Sequence, residues 1–257
     1  MAISVANILK HLDERVPRSL SCSWDNDGLL CCPDPEQMVQ RILVALDATD
    51  KTVDMAIDGK YDLLLTHHPL IFRPIKALTP FDVVPKKLLK LAGAGVSAVA
   101  LHTRFDAVDG GVNDALASAL GLPVVDCFPC EDALEGRIVE LDQAVSLSDF
   151  AASVKQALGC VFVNCADAGK PVKKIGLLGG EGGDFIRAAL NAGCDTYLTG
   201  RASYHGMLDA AESGINVIEG GHFYTERPAC RALADLIREI DSTLSVDIYI
   251  DPTLCIF

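Results

Sequence analysis

The sequence is poor in positive charge and in aromatic side chains. Its 257 residues include 22 lysines and arginines against 35 acidic residues, which gives a formal net charge of -13. A chain with this charge repels the phosphate backbone of nucleic acids, and no local cluster of basic residues opposes the repulsion. Aromatic residues make up 6% of the chain, with a single tryptophan, so a nucleoside-stacking pocket is not evident from composition. Nucleic acid is therefore an unlikely class of partner.

Long uncharged apolar runs are also absent. No such run reaches the roughly 18 residues that a membrane-spanning helix needs. The first residues, MAISVANILKHLDERVP, lack the basic start, apolar core and small-residue cleavage site of a secretory signal. At 50% hydrophobic, the chain can nevertheless fill a sizeable core. We expect a cytoplasmic protein that does not insert into membranes.

Ten cysteines are present, and in a cytoplasmic chain of this size they are more often buried thiols than disulfides. Cys127 and Cys130 form one CxxC motif, and Cys31 and Cys32 are adjacent. A CxxC without a second spaced pair is more typical of structural thiols than of zinc sites. Redox or metal chemistry at these two pairs stays an open alternative.

Short runs of leucine and β-branched residues alternate with amphipathic stretches, a pattern typical of βαβ units around a mostly parallel sheet. Ser4 is placed to cap an opening helix that should end near Pro17. The pattern predicts buried strands at Arg41–Leu46, Asp62–Leu65, Val96–Leu101, Arg137–Leu141, Lys174–Leu178, Thr196–Leu198, Ile215–Ile218 and Val246–Ile250.

An internal repeat relates two parts of the chain. Residues 41–66 align without a gap onto residues 174–199, an offset of 133, and both stretches end in Leu-Thr. Residues 95–106 echo residues 214–226 if one residue is added in the second copy, an offset of 120 at the histidine. Two echoes in the same order predict an old duplication, and two copies are too few for a solenoid.

Polar residues able to bind metal follow three of the predicted strands. Ligands in open α/β sheets gather at the carboxyl ends of the strands, so we expect these side chains to converge in one crevice with five of the six histidines. Imidazole and carboxylate suit zinc, iron, manganese and nickel, and a carboxylate such as Glu226 can bridge two cations. The candidates are His67, His68, His102, Asp106, His222 and Glu226.

Two further segments have weaker signals. The segment Ser23–Gly28, SWDNDG, contains the only tryptophan and is interpreted as a structural turn. The segment Leu177–Phe185, LLGGEGGDF, is a glycine-rich turn between strand and helix. It could cradle phosphate on backbone N–H groups, although it matches neither GxGxxG nor a P-loop.

Taken together, five segments resemble the NIF-three-like family, also called GTP cyclohydrolase I type 2. The segments are WDNDGLL, LLLTHHPLIFRPIKALT, LHTRFDAVDGGVNDALASALGL, TYLTGRASYHGMLDAAESGIN and GGHFYTE. The resemblance spans nearly the whole chain in the right order, and THHP with a distal GHxxTE is specific to this family. It implies two interlinked, internally duplicated α/β domains that share a metal cleft. We expect residues 1–126, joined by a strand near 244–257, to form one half and residues 127–243 the other.

The resemblance also implies a dinuclear metal centre and a homo-oligomer, commonly a hexamer. Its ligands fall on His67, His68, Asp106, His222 and Glu226. His102 matches a histidine that lines the site without being assigned as a ligand. We expect His102 and Glu226 to be catalytic.

Departures from the family pattern concern the surroundings of the site. The usual TGE is Thr199-Gly200-Arg201 here, and Arg104 and Phe105 occupy a pair that is often small or polar. Arg201, Lys76 and His205 are expected to bind an anionic substrate.

The leading hypothesis for function is a metal-dependent hydrolase acting on a small anionic or nucleotide-like molecule. GTP cyclohydrolase and a non-catalytic metal-binding scaffold are the alternatives, because a fold and a metal site do not determine a substrate.

Overall fold

The chain forms two compact units, seen in a computed structural model that describes residues 3–130, 132 and 135–251. The first unit comprises Met1–Val108 and Cys230–Phe257, and the second comprises Asp109–Ala229. These boundaries differ from the division after residues 126 and 243 that the sequence predicts. Part of the expected C-terminal segment, residues 252–257, lies outside the described residues.

The packing of two helices explains why the units are divided after Val108 and Ala229. The helix Val112–Ala119 packs on two strands of the second sheet, so its residues belong to the second unit. The helix Ala229–Ile240 lies in the first unit, where Glu239 pairs with Arg15 at 2.5 Å. The same helix donates a hydrogen bond from Arg238 Nη2 to the carbonyl of Val246 at 3.0 Å.

The strands over the described residues are numbered in chain order. They are β1 (Ile3–Ser4), β2 (Gly28–Cys31), β3 (Met38–Val39), β4 (Arg41–Ala45), β5 (Leu63–Thr66), β6 (Ser97–Ala100), β7 (Val124–Pro129), β8 (Glu135–Val145), β9 (Asn164–Ala166), β10 (Val172–Leu178), β11 (Thr196–Thr199), β12 (Asn216–Glu219) and β13 (Ser245–Tyr249).

The α-helices are numbered in the same way. They are α1 (Val5–Arg15), α2 (Asp50–Asp58), α3 (Val83–Ala94), α4 (Thr103–Ala107), α5 (Val112–Ala119), α6 (Leu147–Leu158), α7 (Ile186–Asn191), α8 (Tyr204–Glu212), α9 (His222–Glu226) and α10 (Ala229–Ile240). Ser4 caps α1 by accepting from the amide of Asn7, as predicted. Within the described residues, none of these helices has the length and apolarity to cross a bilayer.

The sheet of the first unit has the strand order β13-β4-β5-β6-β2. Its first four strands are parallel, and β2 runs antiparallel at the edge. The central strands β4 and β5 are buried almost throughout, which matches their apolar sequences RILVA and LLLT. A short antiparallel pair, β1 with β3, lies outside this sheet.

The sheet of the second unit has the order β7-β8-β10-β11-β12-β9. Strands β10, β11 and β12 are parallel, whereas β7, β8 and β9 run antiparallel to their neighbours. Apolar clusters cover both of its faces, one around Val154 and Leu198 and one around Phe128 and Tyr197. The fold is therefore α/β with mixed sheets.

The predicted duplication extends to individual hydrogen bonds. The carboxylate of Asp62 accepts from the amides of Gln40 and Arg41 at 2.8 and 2.9 Å. At the offset of 133 residues, the carboxylate of Asp195 accepts from the amides of Lys173 and Lys174 at 3.0 and 2.8 Å. Each carboxylate thus fastens the start of one parallel strand to the start of its neighbour.

The second echo of the sequence is shifted by one residue. In α4, the amide of Asp106 donates to the carbonyl of His102 at 3.2 Å, and in α9 the amide of Thr225 donates to the carbonyl of Gly221 at 3.0 Å. The structural offset is therefore 119 through both strand and helix, and the alignment that added a residue at the histidine is wrong. By helix position, His102 corresponds to Gly221 and not to His222.

Candidate metal centre

His67 and His68 continue the chain directly after strand β5. Their amides donate to the carbonyls of Ala45 at 3.4 Å and Leu46 at 3.0 Å, so both residues still run beside β4. The His67 side chain is fully buried, and that of His68 is 24% exposed. Strand β5 therefore delivers both imidazoles at its carboxyl end, where an α/β sheet binds its ligands.

Each of these imidazoles has an oxygen beside Nδ1. His67 Nδ1 lies 2.9 Å from the carbonyl oxygen of Leu101, and His68 Nδ1 lies 2.8 Å from Asp47 Oδ1. When Nδ1 carries the proton and donates it to such an oxygen, Nε2 presents a lone pair. This is the usual arrangement of histidines that bind a metal through Nε2, because the acceptor sets both the tautomer and the ring orientation.

His102 follows strand β6 and is held in the same way. Its Nδ1 lies 2.8 Å from Asp25 Oδ1, and Asp25 Oδ2 accepts from the amide of Thr103 at 3.0 Å and from its hydroxyl at 2.6 Å. Burial raises the pKa of Asp25, but the hydrogen bond and charge of His102 and the two bonds from Thr103 outweigh it and lower the pKa to about 2. Asp25 is thus an ionised acceptor that orients His102.

The three imidazoles form one group, the histidine cluster (His67, His68 and His102). Their ring centroids are 4.8, 5.3 and 5.6 Å apart. One ligand atom from each lies within 4.8 Å of the others, a spacing that could hold a metal ion. Asp106 adds a carboxylate, with Oδ1 at 3.8 Å from His67 Nε2. The donor set of the first unit, imidazole and carboxylate without thiolate, therefore fits a first-row divalent ion.

The second unit contributes a histidine and a glutamate on one short helix. His222 Nε2 and Glu226 Oε2 lie 2.9 Å apart on α9, where a spacing of four residues places them on the same helix face. The Glu226 side chain is only 6% exposed, whereas that of His222 is 40% exposed. A buried carboxylate beside an imidazole is costly without a positive partner, so this pair also has the chemistry of a cation ligand.

Glycines make the room that α9 needs. A Cβ on Gly180 would lie 2.0 Å from Glu226 Oε1, and a Cβ on Gly200 would lie 2.8 Å from the Cα of His222. The Gly200 Cβ would also lie 2.5 Å from both the Gly180 carbonyl oxygen and Thr225 Oγ1. A side chain at Gly200 would require α9 to move, whereas one at Gly180, where φ is 64°, would displace the Glu226 carboxylate. Neither glycine is a candidate site residue from the sequence alone.

The glycine-rich turn at Leu177–Phe185 is already engaged with its own unit. The amide of Gly179 donates to Asn113 Oδ1 at 2.9 Å, and that of Gly180 donates to Thr225 Oγ1 at 3.2 Å. Two of the N–H groups that would cradle a phosphate therefore have partners. The contacts favour a structural role for this turn over phosphate binding.

The predicted substrate-binding residues are exposed on the surfaces of their own units. Arg201 Nη1 lies 3.9 Å from Glu181 Oε2, and both side chains are about two-thirds exposed. His205 contacts the ring of Tyr204 at a centroid distance of 5.3 Å, and Lys76 lies on an exposed loop. Over the described part of the chain, none of the groups that could hold a metal includes His205, although five histidines had been expected to converge.

The residues Arg104 and Phe105 are both buried. Arg104 Nε donates to Asp27 Oδ2 at 2.7 Å, and Arg104 Nη1 donates to Asp13 Oδ1 at 2.7 Å and to the carbonyl of Val16 at 2.9 Å. Phe105 is 2% exposed and belongs to the core, so it cannot line a substrate pocket. This arginine therefore fixes the turn that presents Asp25 to His102.

The paired cysteines lie outside the metal groups found among the described residues, which contain only histidine, aspartate and glutamate. Burial raises the pKa of the Cys31 thiol, and it raises the pKa of Cys194 to about 11. Raised thiol pKa values suppress the thiolate form that redox chemistry requires. Cys22, Cys160, Cys194 and Cys230 are buried, in keeping with structural thiols.

Comparisons with known proteins place the chain among similar sequences and structures. A family model described as Duf34/NIF3 (NGG1p interacting factor 3) matches residues 3–253. The "GTP cyclohydrolase 1 type 2 homolog" of Clostridium perfringens is 32% identical over 238 residues, 91% of this chain and 90% of the relative. The "Protein NIF3 homolog" of Schizosaccharomyces pombe is 35% identical over 244 residues, covering 88% of this chain and 87% of the relative. The crystal structure of Staphylococcus aureus protein SA1388 matches with a TM-score of 0.88 at 27% identity, covering 99% of both chains.

Proposed function

The chain belongs to the Duf34/NIF3 family, and from that premise we propose that it is a hydrolase that depends on two divalent metal ions. The observation that carries the proposal is the histidine cluster with an oxygen acceptor beside each Nδ1. Such acceptors orient imidazoles that bind metal or transfer protons, and a cluster built only for packing has no need of three of them.

The proposed ligands are His67, His68, Asp106, His222 and Glu226. Glu226 would hold both cations, because one carboxylate can bind two cations through its two oxygens. The donor set suits zinc, iron, manganese or nickel. A bound pair of such ions would supply an acidified water and would polarise the bond under attack.

His102 is proposed to move protons. With the proton on Nδ1 donated to Asp25, Nε2 of His102 can accept a proton from the nucleophile and return it to the leaving group. Thr103 holds the other carboxylate oxygen of Asp25, which keeps Asp25 in place while the charge on His102 changes. Positioned acid–base catalysis of this kind typically contributes about 10²–10⁴-fold.

The substrate is proposed to be a small anionic or nucleotide-like molecule, for which Arg201, Lys76 and His205 would provide positive or hydrogen-bonding groups. The name of the Clostridium perfringens relative, GTP cyclohydrolase 1 type 2 homolog, favours a second candidate, the opening of the purine ring of GTP by water. A panel of phosphoesters, nucleotides and GTP, assayed with metal-loaded protein, separates the two candidates. Absence of turnover on the whole panel, with both ions bound, would favour a metal-binding scaffold instead.

Metal content of variants tests the site itself. Elemental analysis should give two ions per chain, Glu226→Gln should lose both, and His222→Ala should mainly lose one. His102→Ala should keep both ions and lower turnover by about 10²–10⁴-fold. His11→Ala, on the exposed face of α1, is the matched control and should change neither the metal content nor the turnover.

Two results would contradict these assignments. A single bound ion whose occupancy is unchanged in Glu226→Gln would contradict the dinuclear site. Loss of an ion from His102→Ala would make His102 a ligand.

The assembly and location of the protein are part of the same proposal. We expect a closed homo-oligomer, most simply a hexamer, in the cytoplasm. Sedimentation that shows a monomer at micromolar concentration would contradict the oligomer.

A further inference from the structure

Two half-exposed aromatic rings stand beside the histidine cluster in the first unit. Trp24 is 52% exposed and Phe72 is 50% exposed. Their ring centroids are 6.0 Å apart, and each lies 6.1 Å from the ring of His102. The interplanar angles of these three pairs are 73°, 74° and 87°, so the rings meet nearly at right angles. The two large rings therefore leave apolar surface open to solvent next to His102.

This aromatic pair is held by specific contacts. The side-chain amide of Asn26 donates to the carbonyl of Ile71 at 2.5 Å, which ties the Trp24 turn to the Phe72 loop. On one side of Asn26, Asp25 bonds His102 and Thr103, and on the other side Asp27 accepts from buried Arg104. A loop fixed at three successive residues presents its tryptophan in one place. Exposed apolar surface that is held in place beside polar groups is typical of binding sites.

We propose that Trp24 and Phe72 form a subsite for a planar heteroaromatic ring of the substrate. The inference rests on the proposed function, since it names the class of molecule that the metal site would act on. Indole and phenyl faces bind flat rings by stacking, as they do with the bases in proteins that bind single-stranded nucleic acids. A ring bound against this pair would lie close to His102, which is the group proposed to move protons.

Basic residues near Trp24 and Phe72 indicate that the ligand also carries a negative charge. Arg73 and Lys76 lie on the same loop as Phe72 and are exposed. They are basic residues in a chain whose net charge is -13, so the loop stands out as a place that attracts an anion. A planar ring bearing an acidic substituent fits this surface better than the apolar side chains of a protein partner.

Trp24 is the only tryptophan of the chain, and its fluorescence therefore reports on this subsite alone. The experiment titrates the protein, kept in a chelator, with adenosine monophosphate, cytidine monophosphate and ribose 5-phosphate. Both nucleotides should quench the fluorescence saturably, and the ring-free sugar phosphate should not. Because no metal is needed, the result is independent of whether the hydrolase proposal holds.

Two variants decide whether the aromatic pair binds the ring. Phe72→Leu removes one ring and keeps the reporter, and we expect it to weaken nucleotide binding roughly 5- to 10-fold. Phe162→Leu is the matched control, because Phe162 is 53% exposed but belongs to the second unit, and it should leave binding unchanged. A circular dichroism spectrum confirms that both variants are folded.

Three outcomes would overturn the proposal. Equal quenching by ribose 5-phosphate and by the nucleotides would show that the phosphate alone is bound. Equal weakening by Phe72→Leu and Phe162→Leu would show that the effect is not local. Unchanged nucleotide affinity in Phe72→Leu together with a smaller sedimenting species would make this surface a contact between subunits.

Discussion

The two units use the same backbone frame for different chemistry. In each, two parallel strands joined by a helix are fastened by an aspartate, Asp62 in one and Asp195 in the other. After the second of these strands the first unit places His67, whereas the second unit places Gly200 at the position 133 residues later. One copy supplies an imidazole and the other supplies space for α9. The duplicated frame thus carries different residues beyond its strand ends in the two units.

The one-residue shift between α4 and α9 adds to this asymmetry. His102 precedes the first residue of its helix, whereas His222 is the first residue of its helix. One residue of an α-helix turns a side chain by about 100°. The two histidines therefore leave their helices in different directions, although the sequence spacing to Asp106 and Glu226 is the same. The two histidines are therefore not equivalent positions of the duplication.

We expect the largest loss of stability from a substitution at Gly200, which stands where the first unit has His67. Gly200→Ala places a Cβ against the backbone of Gly180 and His222, so α9 must move. We expect the free energy of unfolding to fall by about 2–3 kcal/mol, measured by urea denaturation. The control is Gly93→Ala in α3, where a Cβ meets nothing within 4 Å and helix propensity predicts a gain of about 0.5–1 kcal/mol. Equal effects of the two substitutions would refute the idea that glycine makes room for the site.

An intermediate effect should follow from weakening the carboxylates that support the histidines of the first unit. Asp47→Asn removes the charged acceptor of His68, a proposed ligand, and should weaken metal affinity about 10- to 100-fold. Asp25→Asn acts on His102 and should lower turnover by a similar factor while metal affinity is retained. Metal titration and assays on the loaded protein separate the two effects. Loss of metal affinity in both variants would place His102 among the ligands.

Acid stability provides a readout for Asp25 that does not depend on activity. Its pKa in the folded protein is about 2, below the ordinary value of 3.8. The ionised carboxylate therefore stabilises the fold above pH 3.8, and this contribution is lost as the pH falls towards 2. Asp25→Asn should be less stable than the parent protein at neutral pH, and the difference should shrink in acid.

The smallest expected change in the free energy of unfolding tests whether the backbones of the two units are equivalent. Lys60 has a φ of 54°, and at the matching turn 133 residues later Gly193 has a φ of 80°. Because a left-handed backbone favours glycine, Lys60→Gly should raise the free energy of unfolding by about 0.5 kcal/mol. Gly193→Lys should lower it by about 1 kcal/mol. Thermal melts of the two variants that shift in the same direction would contradict the equivalence.

Much of the fold could be predicted from apolar runs. Each of the eight predicted strands overlaps an observed strand. Six of them are buried parallel strands with continuous apolar segments, namely β4, β5, β6, β10, β11 and β12. The strands that were missed, such as β2, β7 and β9, are antiparallel and largely half-exposed or exposed, so their sequences carry no comparable run. The sequence echo places an extra residue before His222, because the alignment of the two copies matches identical side chains. The hydrogen bonds that define equivalent positions in the two copies are visible only in the structure.

The residues of the site divide in a similar way. His67, His68, His102, Asp106, His222 and Glu226 could be proposed because their types and their positions after strands carry a chemical signal. Asp25, Asp47, Gly180 and Gly200 support those residues across long sequence separations. Asp25 and Gly180 lie in segments that the sequence predicts as turns, but nothing local indicates which distant residues they support. The repeat does indicate that Gly200 lies near a site, because the offset of 133 places it at the position equivalent to His67.

The discontinuity of the first unit has a consequence for synthesis. Strand β13 pairs in parallel with β4, yet about 200 residues, including all of the second unit, separate them in the chain. A ribosome therefore finishes the second unit while the outer edge of β4 still lacks its neighbour. Until the last strand emerges, the nascent chain carries an open strand edge, and such edges invite pairing with other chains.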